Sequence, residues 1–278
     1  MKHIVCLSGG HSSGHVALEV VARFGKENVV LLNHNINKKV EAEDIKRFKK
    51  EISDFLGIPI TYANIDGIID DSDIPDQFDV INEIGALTSP NHNALCTAKL
   101  KTEPFYEYLS KFAKRDLDVI YYGFDKSEND RIKRRINELG ARGYFTEFPL
   151  ANWELKYKDT ESVGIVRPNT YSFFKHANCI GCLKAGQLHW YVVFCTDKTA
   201  WAKAKHMEEN VNFSILRRMV NGVRSPLFLR ELETSFCKLQ SLGVPANEHI
   251  GEQKFADRLR KIEAPISENM LFPCACTF

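Results

Sequence analysis

Residues 4–7 form a short apolar run, Ile4, Val5, Cys6 and Leu7, and the chain then turns at once to small and polar residues. A run that is β-branched and does not alternate is the pattern of a strand buried on both faces of a parallel sheet. From His15 the apolar residues adopt helical spacing, with Val16 and Val20 able to cover that sheet. Val29, Val30, Leu31 and Leu32 repeat the buried-strand pattern after an interval that one helix fills, which predicts a βαβ unit. Residues 41–56 place Ile45, Phe48, Ile52 and Phe55 on one helical face, Gly57 ends that helix, and residues 58–63 predict a strand. Residues 64–92 carry Asp66, Asp70, Asp71, Asp73 and Asp76 and read as a solvated surface excursion. A further strand is expected at residues 119–122, and helices over 201–219 and 226–240. The pattern changes near residue 150, after Phe148, Pro149 and Leu150. It therefore predicts an α/β fold: a doubly wound, mostly parallel sheet over residues 1–150, then a smaller, mainly helical domain over 151–278.

Composition narrows the picture further. The chain has 278 residues, 44% hydrophobic and 26% charged, enough apolar material for an ample core. Its net charge of +1 provides no global field for nucleic acid, so only a local basic patch can serve that purpose. The sequence contains no apolar run of membrane-helix length and enters a strand directly, so the expectation is a cytoplasmic protein without a membrane partner. In that reducing compartment the eight cysteines are expected to be thiols, metal ligands or catalytic groups rather than disulfides.

The chemistry-bearing residues follow predicted strands. Ser8, Gly9, Gly10, His11, Ser12, Ser13 and Gly14 allow close backbone approach to an anion, and the helix that follows turns its positive end toward the same point. The loop is neither G-x-x-x-x-G-K-[ST] nor G-x-G-x-x-G, so phosphate or pyrophosphate is its natural ligand without a Walker or dinucleotide assignment. Asn33 emerges at the end of the second strand, where its amide is placed to read a purine or ribose or simply to make a turn. Cys96 near a helix start, with Lys99 and Lys101 close by, is expected to have a depressed pKa suited to a thiolate nucleophile or metal ligand; the alternative is an inert buried thiol. Gly123, Glu128 and Arg131 follow the strand at residues 119–122, with Gly123 expected to admit nucleotide.

Arg131, Lys133, Arg134, Arg135 and Arg142 make the dense basic cluster, read either as a solvated face or as a site for a phosphate-rich substrate. Helical spacing puts Arg131 and Arg135 on a shared face and Lys133 elsewhere. Cys179-x-x-Cys182 has the spacing of a metal knuckle or redox pair, and Cys96 with Cys274 or Cys276 would complete four ligands. His176 and His189 flank the pair as alternative ligands, and Cys6, Cys195 and Cys237 sit in apolar contexts expected to be core.

The loop from Ser8 to Ser13 resembles the S-G-G-x-[D/T/S]-S signature of the PP-loop ATP pyrophosphatase superfamily, with Ser12 in the small-hydroxyl form associated with the phosphoadenosine phosphosulfate (PAPS) reductase-like branch. Cys96-Thr97-x-x-Leu100-Lys101-x-x-Pro104, the Gly123 segment and the Cys179 pair follow in that family's order. The resemblance implies an adenine nucleotide alpha hydrolase-like (HUP) fold and an ATP-dependent adenylylating enzyme that releases pyrophosphate, with sulfur transfer as an extension. It implies ATP contacts at Ser8, Gly9, Gly10, His11, Ser12, Ser13, Asn33, Gly123 and Glu128, together with Mg²⁺, and catalytic roles for Cys96, Ser12 and Arg131. Cys96, Cys179, Cys182 and Cys276 are the implied ligands of a 4Fe-4S cluster or zinc. Implied partners are an acceptor that includes nucleic acid among its candidates, a sulfur donor protein and a second copy in a homodimer. The Glu-Cys-Gly-Leu-His motif of assimilatory reductases is absent, so a PAPS- or APS-reductase oxidoreductase is the runner-up, beside a nucleotide- or nucleic-acid-binding module without catalysis.

Overall fold

A computed structural model describes residues 1–89 and 94–263. Strand β1 (His3–Cys6) leads into helix α1 (His11–Phe24), then β2 (Val29–Asn33), α2 (Glu43–Leu56) and β3 (Ile60–Tyr62). Helices α3 (Gln77–Ile84) and α4 (Leu95–Thr97) follow, and a π-helical turn at Ala98–Thr102 joins α4 to α5 (Glu103–Phe112). The sheet resumes with β4 (Val119–Tyr121), α6 (Asn129–Gly140) and β5 (Phe145–Glu147), before the short α7 (Pro149–Asn152). The remainder holds α8 (Gln187–Thr196), α9 (Lys198–Val211), the strands β6 (Leu216–Val220) and β7 (Val223–Leu227), α10 (Leu229–Ser241) and α11 (Glu252–Glu263).

The five-stranded sheet runs β3-β2-β1-β4-β5, and every pairing in it is parallel. Successive residues of β1 point to opposite faces, so Val5 packs with Val16, Val20, Phe48 and Ile52 from α1 and α2. Ile4 packs with Phe105, Leu109 and Leu139 from α5 and α6 on the other face. This is the doubly wound α/β arrangement, and both faces are covered as a parallel sheet requires. Gly14 sets the closeness of α1 and α2, because a Cβ there would lie 2.6 Å from the Phe48 ring. Phe55, expected on the buried stripe of α2, is instead exposed, because in the last turn it is Leu56 that packs with Phe48 and Ile52 in the core.

Two stretches depart from the sequence reading. The acidic segment conceals α3, whose Phe78 and Ile81 are fully buried in the helical core. Asp76 is not solvated: it is buried, caps the backbone N–H groups of Phe78 and Asp79, and receives Lys203 at 2.6 Å. The predicted helix over 201–219 ends at Val211 with Asn212 in the left-handed region, and β6 and β7 form an antiparallel hairpin. Asn221 and Gly222, with φ of 49° and 78°, supply the turn that two-residue hairpins demand.

Packing does not divide the chain at residue 150. Ile36, Val40, Ile74, Phe78 and Cys96 join Trp190, Tyr191 and Phe236 in the helical core, while Ile165 packs with the sheet. Buried Glu19 explains the second crossing: its carboxylate accepts the backbone N–H groups of Lys156 and Tyr157, pinning the chain after α7 across α1. No helix among the described residues is long and apolar enough to cross a membrane.

Candidate functional site

The strand order reverses between β1 and β4, and at the carboxyl ends of those two strands lies a cleft of about 480 Å³. Crevices at this switch point are where open α/β sheets bind ligands. Four segments remote in sequence line it, Cys6 to Ser13, Thr97 to Phe105, Tyr122 to Arg135, and Tyr171 to Asn178, together with His34 after β2.

The loop from Ser8 to Ser13 is held by its own atoms. The Ser13 hydroxyl donates to the Gly10 carbonyl at 2.7 Å and accepts the Ser8 N–H at 3.1 Å. Gly9 sits at φ +84°, and a Cβ there would lie 2.5 Å from Ile45. The N–H groups of Gly9, Gly10 and Ser12 have no protein acceptor among the described residues, while that of His11 donates to the Tyr171 hydroxyl at 3.2 Å. Ser8, Gly10, Ser12 and Ser13 line the cleft. The His11 ring does not; it lies 3.5 Å from Glu161, and burial together with Arg167 lowers its pKa against the pull of Glu161.

Two nucleotide contacts expected from sequence are redirected inward. Asn33 is buried, donates to the Leu7 carbonyl at 2.5 Å and accepts Lys49 Nζ at 3.3 Å, so it braces the strand that carries the loop and does not read a base. Lys49 is itself buried against Glu41 at 2.9 Å; burial lowers its pKa, while Glu41 opposes that shift. Removing one partner of such a pair costs about 3–5 kcal/mol. Gly123 does line the cleft, but the close approach it permits is that of the loop: a Cβ would lie 2.9 Å from the carbonyl carbon of Ser12 and 3.0 Å from the Ser13 nitrogen.

The cleft is cationic at its rim. Lys101, Arg131, Arg135 and Lys175 line it, and Lys133 does not. Arg131 pairs with Glu128 and lies 4.1 Å over the Phe124 ring, and Arg135 lies 5.5 Å over Tyr122. Beside Asn33, His34 reaches the cleft, its Nδ1 bonded to the Ala63 carbonyl at 2.5 Å. A carbonyl can only accept, so Nδ1 carries the proton and Nε2 keeps its lone pair. Cys6, expected to be core, is half-buried and lines the cleft; burial pushes its thiol up to about 12 against a Tyr122 hydrogen bond. Cys195 is half-buried, and Cys237 is exposed.

The thiol corner adjoins this cleft through Thr97, Lys101 and Asn178. Cys96, Cys179 and Cys182 interact electrostatically, yet Cys96 is not activated: burial, then Cys179 and Cys182, push it up to about 11. The expected help from lysines is small because Lys99 points outward to Glu103 at 2.8 Å. Burial also raises Cys179, opposed by Lys101. A tetrahedral zinc with bonds of about 2.3 Å sets its sulfurs about 3.8 Å apart. The three thiols do not form such a set, since the one group of three or more ligand atoms within 4.8 Å among the described residues is His176, His189 and Glu248. Cys274 and Cys276 lie outside the described residues.

Hydrogen-bond direction assigns that His–His–Glu group a different role. The Cys182 N–H donates to His189 Nε2 at 3.2 Å, and the Asn178 N–H donates to His176 Nδ1 at 3.3 Å. Each ring therefore holds its proton on the other nitrogen, and both point at Glu248 Oε1, at 3.1 Å and 3.3 Å. No imidazole lone pair is left for a metal. Burial pushes the Glu248 carboxyl up, but His176, His189 and the Lys175 N–H outweigh it and hold it well below the usual carboxylate range. The group clamps the knuckle between Asn178 and Cys182.

Comparison with protein-family models and with curated proteins finds no match. Tyr171 and Lys175 are site residues that sequence reading missed, because they lie far from the loop, Tyr171 160 positions from His11, in a segment without periodicity.

Proposed function

We propose that the protein is an ATP-dependent adenylylating enzyme of the PP-loop, PAPS reductase-like kind, built on a HUP-type sheet. One observation supports this reading above the others: three of the segments that carry the resemblance, the Ser8–Ser13 loop, the motif containing Thr97 and Lys101, and the Gly123 segment, line a single cleft at the switch point of the sheet, and the Cys179 pair begins next to Asn178 at its edge. In this reading the N–H groups of Gly10 and Ser12 and the start of α1 hold the pyrophosphate of ATP. A substrate oxygen attacks the α-phosphorus, a P–O bond forms to it, and the bond to the bridging oxygen breaks, leaving pyrophosphate. Fixed N–H donors and Lys101, Arg131 and Lys175 stabilise the charge that collects on the leaving group. A second nucleophile then displaces AMP.

Mg²⁺ fits as a partner of the phosphates, since Mg²⁺ is bound by one or two carboxylates plus substrate oxygens and Glu128 is a carboxylate of the cleft. The three described thiols are not close enough for zinc, so the group proposed on Cys96, Cys179 and Cys182 is a 4Fe-4S cluster, with Cys276 as the fourth ligand expected from sequence, and such a cluster would supply redox or sulfur-carrying chemistry. The six described cysteines are free thiols, in keeping with a reducing cytoplasm.

Calorimetry tests the reading directly. Mg·ATP should bind, pyrophosphate should compete for the same site because both seat on the loop, and AMP, which lacks the groups that seat there, should compete more weakly than pyrophosphate. Failure of ATP to bind, or competition by AMP but not pyrophosphate, removes the proposal.

A further inference from the structure

We infer that the β6–β7 hairpin is a docking element for duplex DNA, separate from the nucleotide cleft. The hairpin stands off the helical core: Leu216 and Leu227 at its base are buried, Ser225 is half-buried, and the rest of both strands is exposed. Cross-strand register sets Arg217 opposite Pro226, Met219 opposite Arg224, and Val220 opposite Val223. Side chains alternate along a strand, so Arg217, Met219, Arg224 and Pro226 share one face. Arg218 falls on the other face and is paired with Glu231 at 2.8 Å. Arg217 and Arg224 have no carboxylate partner among the described residues. Arg217 is stacked on Phe213, 4.9 Å from the ring, which leaves its charge directed but unneutralised.

Residues 216–227 contain Arg217, Arg218 and Arg224 and no acidic residue, although the whole chain carries a net charge of only +1. The tip adds Met219 and Val223, 62% and 64% exposed, beside Val220. A tight Asn221-Gly222 turn keeps this a narrow, twisted ribbon.

Physical complementarity selects the occupant. A two-stranded ribbon fits the major groove of B-form DNA, whereas the major groove of RNA duplexes is too narrow to admit it. Every cation is arginine, whose planar fork suits phosphate and guanine, and the apolar tip suits thymine methyl groups and sugars. A membrane anchor would call for Trp or Tyr at the interface, and the hairpin has neither. Addition of a second chain along the β7 edge is opposed by Pro226, which offers no N–H to a partner.

The test is fluorescence anisotropy of the whole protein with a mixed-sequence DNA duplex of about 20 bp, between about 50 and 200 mM salt. Replacing both Arg217→Ala and Arg224→Ala should make the slope of log K against log salt shallower by about 1.8, and weaken binding roughly fiftyfold at 0.1 M salt. Arg217→Lys with Arg224→Lys should restore most of the slope, which separates lost charge from a collapsed hairpin. Met219→Ser, at the tip of the shared face, should weaken binding without changing the slope. The proposal is overturned if wild type does not bind DNA, or if the double alanine variant keeps the wild-type slope. It is equally overturned if phosphatidylserine vesicles or an RNA duplex bind more tightly than DNA, or if the tip variant's main effect is loss of a dimer. DNA binding that persists in a protein unable to bind ATP would remove the nucleotide reading alone.

Discussion

The Ser8–Ser13 loop is contiguous in sequence and closed by its own side chains, whereas the thiol corner beside it draws Cys96 from α4 and Cys179 and Cys182 from the segment before α8. The first is preorganised: Ser13 has already fixed Gly10 and Ser8, so an anion meets N–H groups that need little further ordering. In the second, burial and the mutual influence of the thiols favour the neutral form, so any chemistry there begins by removing protons. One cleft thus joins a site ready to bind with a site that must be switched on.

The largest effect expected is on the loop. Gly123→Ala sets a Cβ against the Ser12 and Ser13 backbone, and no rotamer change can relieve a contact between main-chain atoms. The loop must shift, and ATP affinity should fall more than about a hundredfold, with a stability cost of about 1–3 kcal/mol. Calorimetry and thermal melts measure the two separately. A folded variant with unchanged affinity would show that the loop is not preorganised by its neighbours, and the comparison would break at its stronger end.

How much of this was legible in the sequence follows from the range of the forces involved. The loop, its strand and its helix are local, so Ile4, Val5, Gly9, Gly10 and Ser13 announced them. The parallel sheet followed from the spacing of residues 4–7 and 29–32. Asn33 was misread because its partners, Leu7 and Lys49, lie 26 and 16 residues away, and nothing local reveals that its amide is already occupied. Cys96 was misread for a similar reason: Lys99 and Lys101 are near in sequence, but desolvation is set by the tertiary core that includes Leu100, Leu183 and Trp190. The hairpin was legible and overlooked, since Asn221-Gly222 between Val220 and Val223 is a strong short-range turn signal. Asp76 and Asp79, on either side of Gln77 and Phe78, masked α3.

The next effect concerns the thiols and has a definite sign. Cys96 is raised to about 11 in the folded chain, above an ordinary thiol near 8.5. At pH 8 the folded protein should therefore be alkylated at Cys96 roughly a hundredfold more slowly than the unfolded chain, since the thiolate reacts. Burial here favours the neutral form. Its contribution to stability is full below the unfolded pKa and is lost as pH rises from about 8.5 to about 11, by about 3 kcal/mol. Peptide mass spectrometry after timed alkylation reads the first, and denaturant melts across that pH range read the second. Rapid alkylation of folded metal-free protein at pH 8 would erase the contrast between the two ends of the cleft.

The smallest effect sharpens how complete the loop's preorganisation is. The Tyr171 hydroxyl accepts the His11 N–H at 3.2 Å and stands over Gly10, where an added Cβ would meet it at 3.3 Å. Its own hydrogen has no protein acceptor among the described residues, and Tyr171 lines the cleft. An arriving phosphate can take that hydrogen while the oxygen keeps the His11 N–H, so the hydroxyl extends the donor array instead of competing with it. Tyr171→Phe should then weaken ATP binding about fivefold, near 1 kcal/mol, because one hydrogen bond is lost while the ring packing stays. Pyrophosphate should lose the same factor, since the contact is to the part both ligands share. Tighter binding in the variant would mean that the hydroxyl blocks the His11 N–H in the free protein, and that the loop, like the thiol corner, must first be released before it works.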